Sequence, residues 1–426
     1  MAKAFVLAAP ASGSGKTMIT LGLLRALKNQ GVRVASAKVG PDYIDPRFHE
    51  AATGVPCINL DPWAMPKEMA AGLLHEIDAE VVVIEGVMGL FDGPQGAKGS
   101  TADLVEDLNL PIILVLDASH QAQSIAALAQ GFINFRKGLN FAGIILNRVA
   151  SDRHAEVLTG ALEPLGVPVL GIVRRSDSLV WPSRHLGLLQ AQENQQLEAF
   201  IASAASTVTR ETNLDNLLTI GATFRFETSN QIILAPLGQH IAVAKDEAFS
   251  FAYPHILQHW RTNNSRQISV FSPLADESPD PEADAIYLPG GYPELHAGRI
   301  AQNQTFLTAL RKSKTLIYGE CGGYMVLGDA IIDAEGKSHA MAGLLPLATS
   351  FATRKLHLGY RQLTPLNGPW KNPLRGHEFH YSTIASEGKA DRLFSARDAA
   401  GNDLGAMGMK RGNVMGSYAH VICEAP

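Results

Sequence analysis

Through the first half of the chain, short apolar runs alternate with amphipathic segments. Residues 5–9, 32–38, 81–84, 112–116, 143–146 and 167–173 are near-continuous apolar stretches, the pattern of strands covered on both faces. Residues 18–29 set Leu21, Leu24 and Leu27 along one side of a helix. Strands alternating with helices predict a parallel, doubly wound α/β sheet.

From about residue 190 to 239 the pattern gives way to a polar stretch rich in Gln, Ala, Ser, Thr and Asn. It predicts a linker over 191–239 between a domain over 1–190 and a second over 240–426. Strand-like runs resume at 241–244, 268–271, 285–288 and 315–318, with a helical pattern over 301–310. The second half reads as another α/β unit, and the halves share no repeat.

Composition narrows the function. The 426 residues are 46% hydrophobic and 18% charged, enough for two cores, since single cores stop growing near ~250 residues. A net charge of -5 supplies no basic field for nucleic acid. Cys57, Cys321 and Cys423 show no CxxC spacing, which points away from disulfides and zinc and toward a reducing cytoplasm. The apolar run at 5–9 is too short for a signal-peptide core, and no stretch is long enough to span a bilayer.

The first chemistry follows the first strand. Ala9-Pro10-Ala11-Ser12-Gly13-Ser14-Gly15-Lys16-Thr17 fits the GxxxxGK[ST] phosphate loop, with Pro10 where the first glycine is usual. Glycines turn successive N–H groups toward phosphates, and the helix start adds its positive dipole end. Gly13, Ser14, Gly15, Lys16 and Thr17 are thus the expected nucleotide residues, with Thr17 on Mg²⁺. Two acidic loops also end strands, one carrying Asp42 and Asp45, the other running from Glu85 to Asp92 and Gly93. Ligands of a doubly wound sheet gather at such ends, so Asp45 and Glu85 are candidate Mg²⁺ ligands beside ATP.

The second chemistry is a cysteine. Gly319-Glu320-Cys321-Gly322-Gly323 follows a strand, and its small residues permit a sharp elbow that exposes a nucleophile. Leu288-Pro289-Gly290-Gly291-Tyr292-Pro293-Glu294 follows another strand and, with the elbow, offers an oxyanion hole at Gly291 and Gly322. His420 in Gly416-Ser417-Tyr418-Ala419-His420 supplies a base expected to hold Cys321 as thiolate.

Together these motifs resemble the cobyrinate or hydrogenobyrinate a,c-diamide synthase family across the whole chain. Further matching runs are Gly40-Pro41-Asp42-Tyr43-Ile44-Asp45-Pro46, Leu146-Asn147-Arg148-Val149, the stretch from Pro182 to Leu188, and the stretch from Arg375 to Ser382. The resemblance implies a synthetase domain related to dethiobiotin synthetase, followed by a class I-type glutamine amidotransferase domain. It implies that ATP phosphorylates a substrate carboxylate and that ammonia from glutamine displaces the phosphate, at the a and c acetates of a corrin-type ring. It also implies that Asp42, Tyr43, Ile44, Asp45 and Asp92 touch Mg²⁺, phosphate or the tetrapyrrole, and that Asn147 faces the adenine. The usual amidotransferase triad carries Glu two residues beyond the histidine, and Ile422 stands there. A Cys321–His420 dyad is the expectation, with the places of His377 and His380 left open.

Phe48-His49-Glu50-Ala51-Ala52-Thr53-Gly54 and Asn59-Leu60-Asp61 look closer to the hydrogenobyrinate branch than to the cobyrinate one. A nickel-sirohydrochlorin a,c-diamide synthase and a cobyric acid synthase are relatives with similar chemistry. The rival classes are a phosphate-loop ATPase switch protein, which usually carries a further lysine early in the loop, and a binding module with an inactive amidotransferase fold. A homodimer is compatible with the sequence.

Overall fold

The structure is a computed structural model that describes residues 2–176, 179, 196–223, 233–262 and 266–425. The motif at 182–188 lies outside them. The chain divides into two compact units, Met1–Asn230 and Gln231–Pro426.

In the first unit the order is β1 (Lys3–Ala8), α1 (Lys16–Asn29), β2 (Val34–Val39), α2 (Asp45–Thr53), β3 (Ile58–Leu60) and α3 (Lys67–His75). There follow β4 (Val81–Glu85), α4 (Thr101–Leu108), β5 (Ile112–Asp117), α5 (Ser124–Phe135), β6 (Phe141–Val149), α6 (Asp152–Leu162) and β7 (Val169–Arg174). The sheet runs β3-β2-β4-β1-β5-β6-β7, all parallel. Every residue of β2 and β4 is buried, as the continuous apolar runs require. Strand order reverses at β1, with β4 on one side and β5 on the other, so the crevice for a ligand opens where β1 meets the phosphate loop.

Within the polar stretch expected as a linker, the run 196–223 is structured. It carries α7 (Leu197–Glu211), α8 (Leu214–Ile220) and β8 (Ala222–Thr223), the last pairing antiparallel with β1. Leu197, Ile201, Ala204, Ala205 and Val208 bury one face of α7, a stripe at helical spacing that the polar face conceals in the composition. A Cβ at Gly22 of α1 would lie 2.5 Å from Val208 and 2.8 Å from the Ala204 carbonyl, so the glycine permits the close α1–α7 approach. The Arg25–Glu198 ion pair joins the same helices.

The second unit begins with β9 (His240–Ala244), α9 (Pro254–Thr262), β10 (Gln267–Phe271), β11 (Ala285–Leu288), α10 (Ala297–Gln302), α11 (Gln304–Lys312), β12 (Leu316–Glu320) and α12 (Gly322–Leu327). Ten more strands follow: β13 (Ala330–Ile332), β14 (Ser338–Ala340), β15 (Leu347–Ser350), β16 (His357–Pro365), β17 (Leu374–His380), β18 (Thr383–Glu387), β19 (Asp391–Arg397), β20 (Asp403–Arg411), β21 (Val414–Ser417) and β22 (Ala419–Glu424). The main sheet runs β10-β9-β11-β12-β21-β20-β19-β16-β17-β22. It is parallel from β10 to β21 and antiparallel beyond. Among the described residues no helix is long and apolar enough to cross a membrane.

Candidate active sites

In the first unit the phosphate loop turns at Gly13 (φ 83°) and Gly15 (φ 89°), a left-handed backbone that costs glycine little. A Cβ on Gly15 would meet the Asn147 amide nitrogen at 2.1 Å. That amide donates to the Ser14 carbonyl at 2.9 Å, so Asn147 buttresses the loop from β6. Lys16 donates to the Met88 carbonyl, and Thr17 donates to Glu85 Oε1 at 2.7 Å. Burial draws the Lys16 ammonium down to about 8, with Glu85 opposing.

Lys38 is one of the residues that the sequence pattern did not single out. Its ammonium donates to Asp45 Oδ2 at 2.8 Å and Glu85 Oε1 at 2.9 Å, with Asp42 Oδ2 at 3.9 Å. All but Asp42 are under a tenth exposed. Burial alone would lower Lys38, but Asp45, Glu85 and Asp42 more than offset it and hold the ammonium charged. On the far side, His49 Nε2 lies 2.7 Å from Glu85 Oε2, and Cys57 Sγ lies 3.4 Å from His49 Nδ1. Burial would raise Glu85, and Lys38 and His49 bring it well below the usual carboxylate range.

Lys16, Thr17, Lys38, Asp45 and Glu85 line a cavity of about 840 Å³ with Ser12, Asn147 and Arg148. Asp42 also lines it, and its Oδ1 accepts from Ile44 N and Asp45 N at 2.8 and 3.0 Å, fixing the start of α2. Tyr43 is buried and Ile44 packs against the core; neither lines this cavity. Asp92 accepts from Gly89 N at 2.8 Å and closes the loop after β4. The oxygens of Thr17, Asp45 and Glu85 suit a hard divalent cation. An ammonium already bridges the two carboxylates, so the place accepts positive charge.

In the second unit, Cys321 stands between β12 and α12 at φ 47°, ψ −103°, a strained conformation of the kind found at functional sites. Its N–H donates to the Ser417 carbonyl at 2.8 Å, and its thiol donates to the Phe379 carbonyl at 3.7 Å. Glycine is required around it. A Cβ on Gly323 would lie 2.0 Å from the Leu288 carbonyl oxygen, and one on Gly322 would lie 3.1 Å from Gly291 N. The two expected oxyanion residues therefore meet. A Cβ on Gly290 would strike His420 Cε1 at 2.2 Å, so the turn after β11 is the common floor of Cys321 and His420. Phe251 N donates to Gly290 O at 2.9 Å and pins that turn.

The resting electrostatics differ from the expected thiolate. Burial pushes the Cys321 thiol up, Glu294 and Glu378 push it further, and the Gly322 N–H opposes them. Burial drives His420 down to about 3, reinforced by His377 and His380. Both shifts favour the uncharged forms. His377 pairs with His420 across β17 and β22. Glu378 binds His380 Nε2 at 2.8 Å and Arg361 Nε at 2.7 Å. Glu320, next to the nucleophile, accepts from Tyr287 Oη at 2.8 Å and from Val421 N at 3.1 Å.

The CobQ/CobB/MinD/ParA nucleotide-binding domain family matches residues 5–189, and the CobB/CobQ-like glutamine amidotransferase domain family matches residues 240–426. The chain is 57% identical to the hydrogenobyrinate a,c-diamide synthase of Brucella anthropi over 99% of this chain and 98% of that one. It is 50% identical to that of a Sinorhizobium species, over 98% of each chain, and 46% identical to that of Agrobacterium fabrum, over 99% of each. With both half-sites built as described and likeness running the full length, the chain belongs to the hydrogenobyrinate a,c-diamide synthase family.

Proposed function

We propose that this enzyme converts the a and c acetate carboxylates of hydrogenobyrinate, a corrin precursor, to amides, using ATP and glutamine, in cobalamin biosynthesis. The observation that carries this reading is Cys321, held at φ 47° beside the Gly290–Gly291 turn on the same chain as a phosphate loop with a buried acidic pair. A phosphate-loop switch protein would leave the cysteine unit without a task.

In the second unit Cys321 Sγ attacks the side-chain carbonyl carbon of glutamine as its proton passes to His420. The oxyanion gathers the N–H groups of Gly291 and Gly322. His420 returns the proton to the departing nitrogen, the C–N bond breaks, and ammonia leaves a thioester that water hydrolyses to glutamate.

In the first unit a substrate carboxylate oxygen attacks the γ-phosphorus of ATP and ADP departs. Ammonia then attacks the acyl carbon, loses a proton, and phosphate leaves. Phosphoryl transfer needs mainly positioning and charge neutralisation. Gly13, Ser14 and Gly15 cradle the phosphates, Lys16 and Lys38 meet their charge, and Asn147 holds the loop and faces the adenine. Thr17, Asp45 and Glu85 would hold Mg²⁺, which supplies charge neutralisation between the phosphates when bound. The family resemblance assigns Asp42, Tyr43, Ile44 and Asp92 to the macrocycle; Asp42 lines the cavity and the other three do not. The substrates are small molecules, and the setting is the cytoplasm.

Mass spectrometry of hydrogenobyrinate incubated with enzyme, ATP, Mg²⁺ and glutamine tests this. Two successive acid-to-amide mass changes are expected, and Cys321→Ala is expected to be rescued by ammonia. ATP and glutamine turnover with no mass change would discard the macrocycle.

A further inference from the structure

The cysteine site lacks the acid that usually orients its histidine, because Ile422 occupies the place two residues beyond His420. Ile422 is buried and serves another end, its carbonyl accepting from His255 Nε2 at 2.9 Å. A carboxylate nevertheless reaches the imidazole from a different strand. Glu320 Oε2, at the end of β12, lies 4.0 Å from His420 Nδ1, with both side chains at most 4% exposed.

We infer that Glu320 is the positioning residue for His420, supplying from the strand before the nucleophile the carboxylate that β22 does not carry. Its orientation toward Nδ1 leaves Nε2 of His420 as the nitrogen that takes the Cys321 proton. This rests on the reading of Cys321 and His420 as the glutamine-hydrolysing pair.

Three observations favour Glu320 over the other buried acid nearby. Glu378 is committed to an ion pair with Arg361 and a bond to His380. Glu320 meets neutral donors, the Tyr287 hydroxyl and the Val421 N–H, with the Tyr318 hydroxyl beside them, and a carboxylate oxygen accepts more than one donor. Val421 N also ties the carboxylate to the residue following His420, so the acid and the base are held to one stretch of β22. At 4.0 Å the pair stands outside hydrogen-bond contact. A ring movement of about 1 Å closes it to the ~2.7–3.2 Å of an N–H···O bond, and the imidazolium formed during attack supplies the attraction for that movement. His377 and His380 on β17 oppose a cation at His420, while Glu378 favours one. A negative partner at Nδ1 is therefore needed to offset two histidines and full burial.

Glu320→Gln tests the inference, because the amide preserves shape and still accepts from Val421. The expected outcome in the full-length enzyme is a fall in glutaminase kcat on the order of 10²-fold, with the KM for glutamine little changed. Ammonia-dependent amidation and Tm stay near wild type. In a His420→Asn background the same change costs nothing further, since residues acting as one unit are not additive. Glu320→Asp, which keeps the charge, retains distinctly more turnover than Glu320→Gln. An unchanged kcat, an equal loss in the His420→Asn background, or equal loss in the Asp and Gln variants overturns the role. Undiminished glutaminase in Cys321→Ala or His420→Asn would instead overturn the underlying site, so the two failures are distinguishable.

Discussion

The hydroxyl of Thr17 donates to the carboxylate of Glu85 at 2.7 Å, joining the start of α1 to the end of β4. The phosphate loop and the acidic loop are thus one structure, with Glu85 at its centre, since Lys38 and His49 also bind it. Glu85→Gln removes the charge that these groups share. We expect amidation to fall on the order of 10²–10³-fold while glutamine hydrolysis in the other unit largely survives. Side-by-side assays of amide product and glutamate release decide it, and parallel loss of both would point to a folding defect.

Lys38 bridges Asp45 and Glu85, the two carboxylates proposed above to hold Mg²⁺. Lys38→Met leaves these carboxylates facing one another at no more than 6% exposure, and breaking a buried ion pair from one side costs about 3–5 kcal/mol. The variant is expected to melt well below wild type and to recover more of its Tm on addition of Mg²⁺ than wild type gains. Equal Mg²⁺ shifts in both proteins would remove Lys38 from the cation site.

Most parallel strands of both units were legible because burial leaves them largely apolar, as in β4, where every residue is buried; the short β3 and β21 were not. The antiparallel half of the second sheet was not. β20 has one fully buried residue and β16 likewise one, so neither shows clean alternation. Helix α7 was hidden because its buried face holds, beside Leu197, Ile201 and Val208, two alanines and a threonine, small residues that bury where helices approach closely. Cys321, His420 and the phosphate loop stood out through neighbouring glycines, where an added Cβ would come as near as 2.0 Å to another atom. Lys38, His49 and Glu320 did not, because a lone charged residue at the end of a strand or within a helix carries no spacing signal. Only the fold shows that each faces a partner of opposite kind.

Gly15 and Asn147 make a separable test of the nucleotide site. Gly15→Ala introduces a Cβ 2.1 Å from the Asn147 amide at a φ of 89°, adding a clash to left-handed strain of about 1–2 kcal/mol. Asn147→Ala relieves the clash and leaves the strain. ATP affinity of the double variant is therefore expected to exceed that of Gly15→Ala alone, measured by calorimetry, although each single change weakens binding. Additive losses would show that the loop yields elsewhere.

Glutamine hydrolysis should carry the signature of Glu320 in its pH dependence. Burial raises this carboxyl to about 7, against the Tyr287, Val421 and Tyr318 donors that favour its charge. It is protonated below that value and ionised above it, so the negative partner for an imidazolium at His420 exists only on the alkaline side. The other groups facing the imidazole are His377, His380 and Glu378 of β17. Burial draws His377 to about 4. Despite burial, His380 and Arg361 bring Glu378 to about 2. Neither group changes charge near neutrality. Glutaminase kcat is expected to rise with pH through about 7 in the wild type, and this limb is expected to vanish in Glu320→Gln. A limb that persists unchanged in the variant would assign the titration to another group.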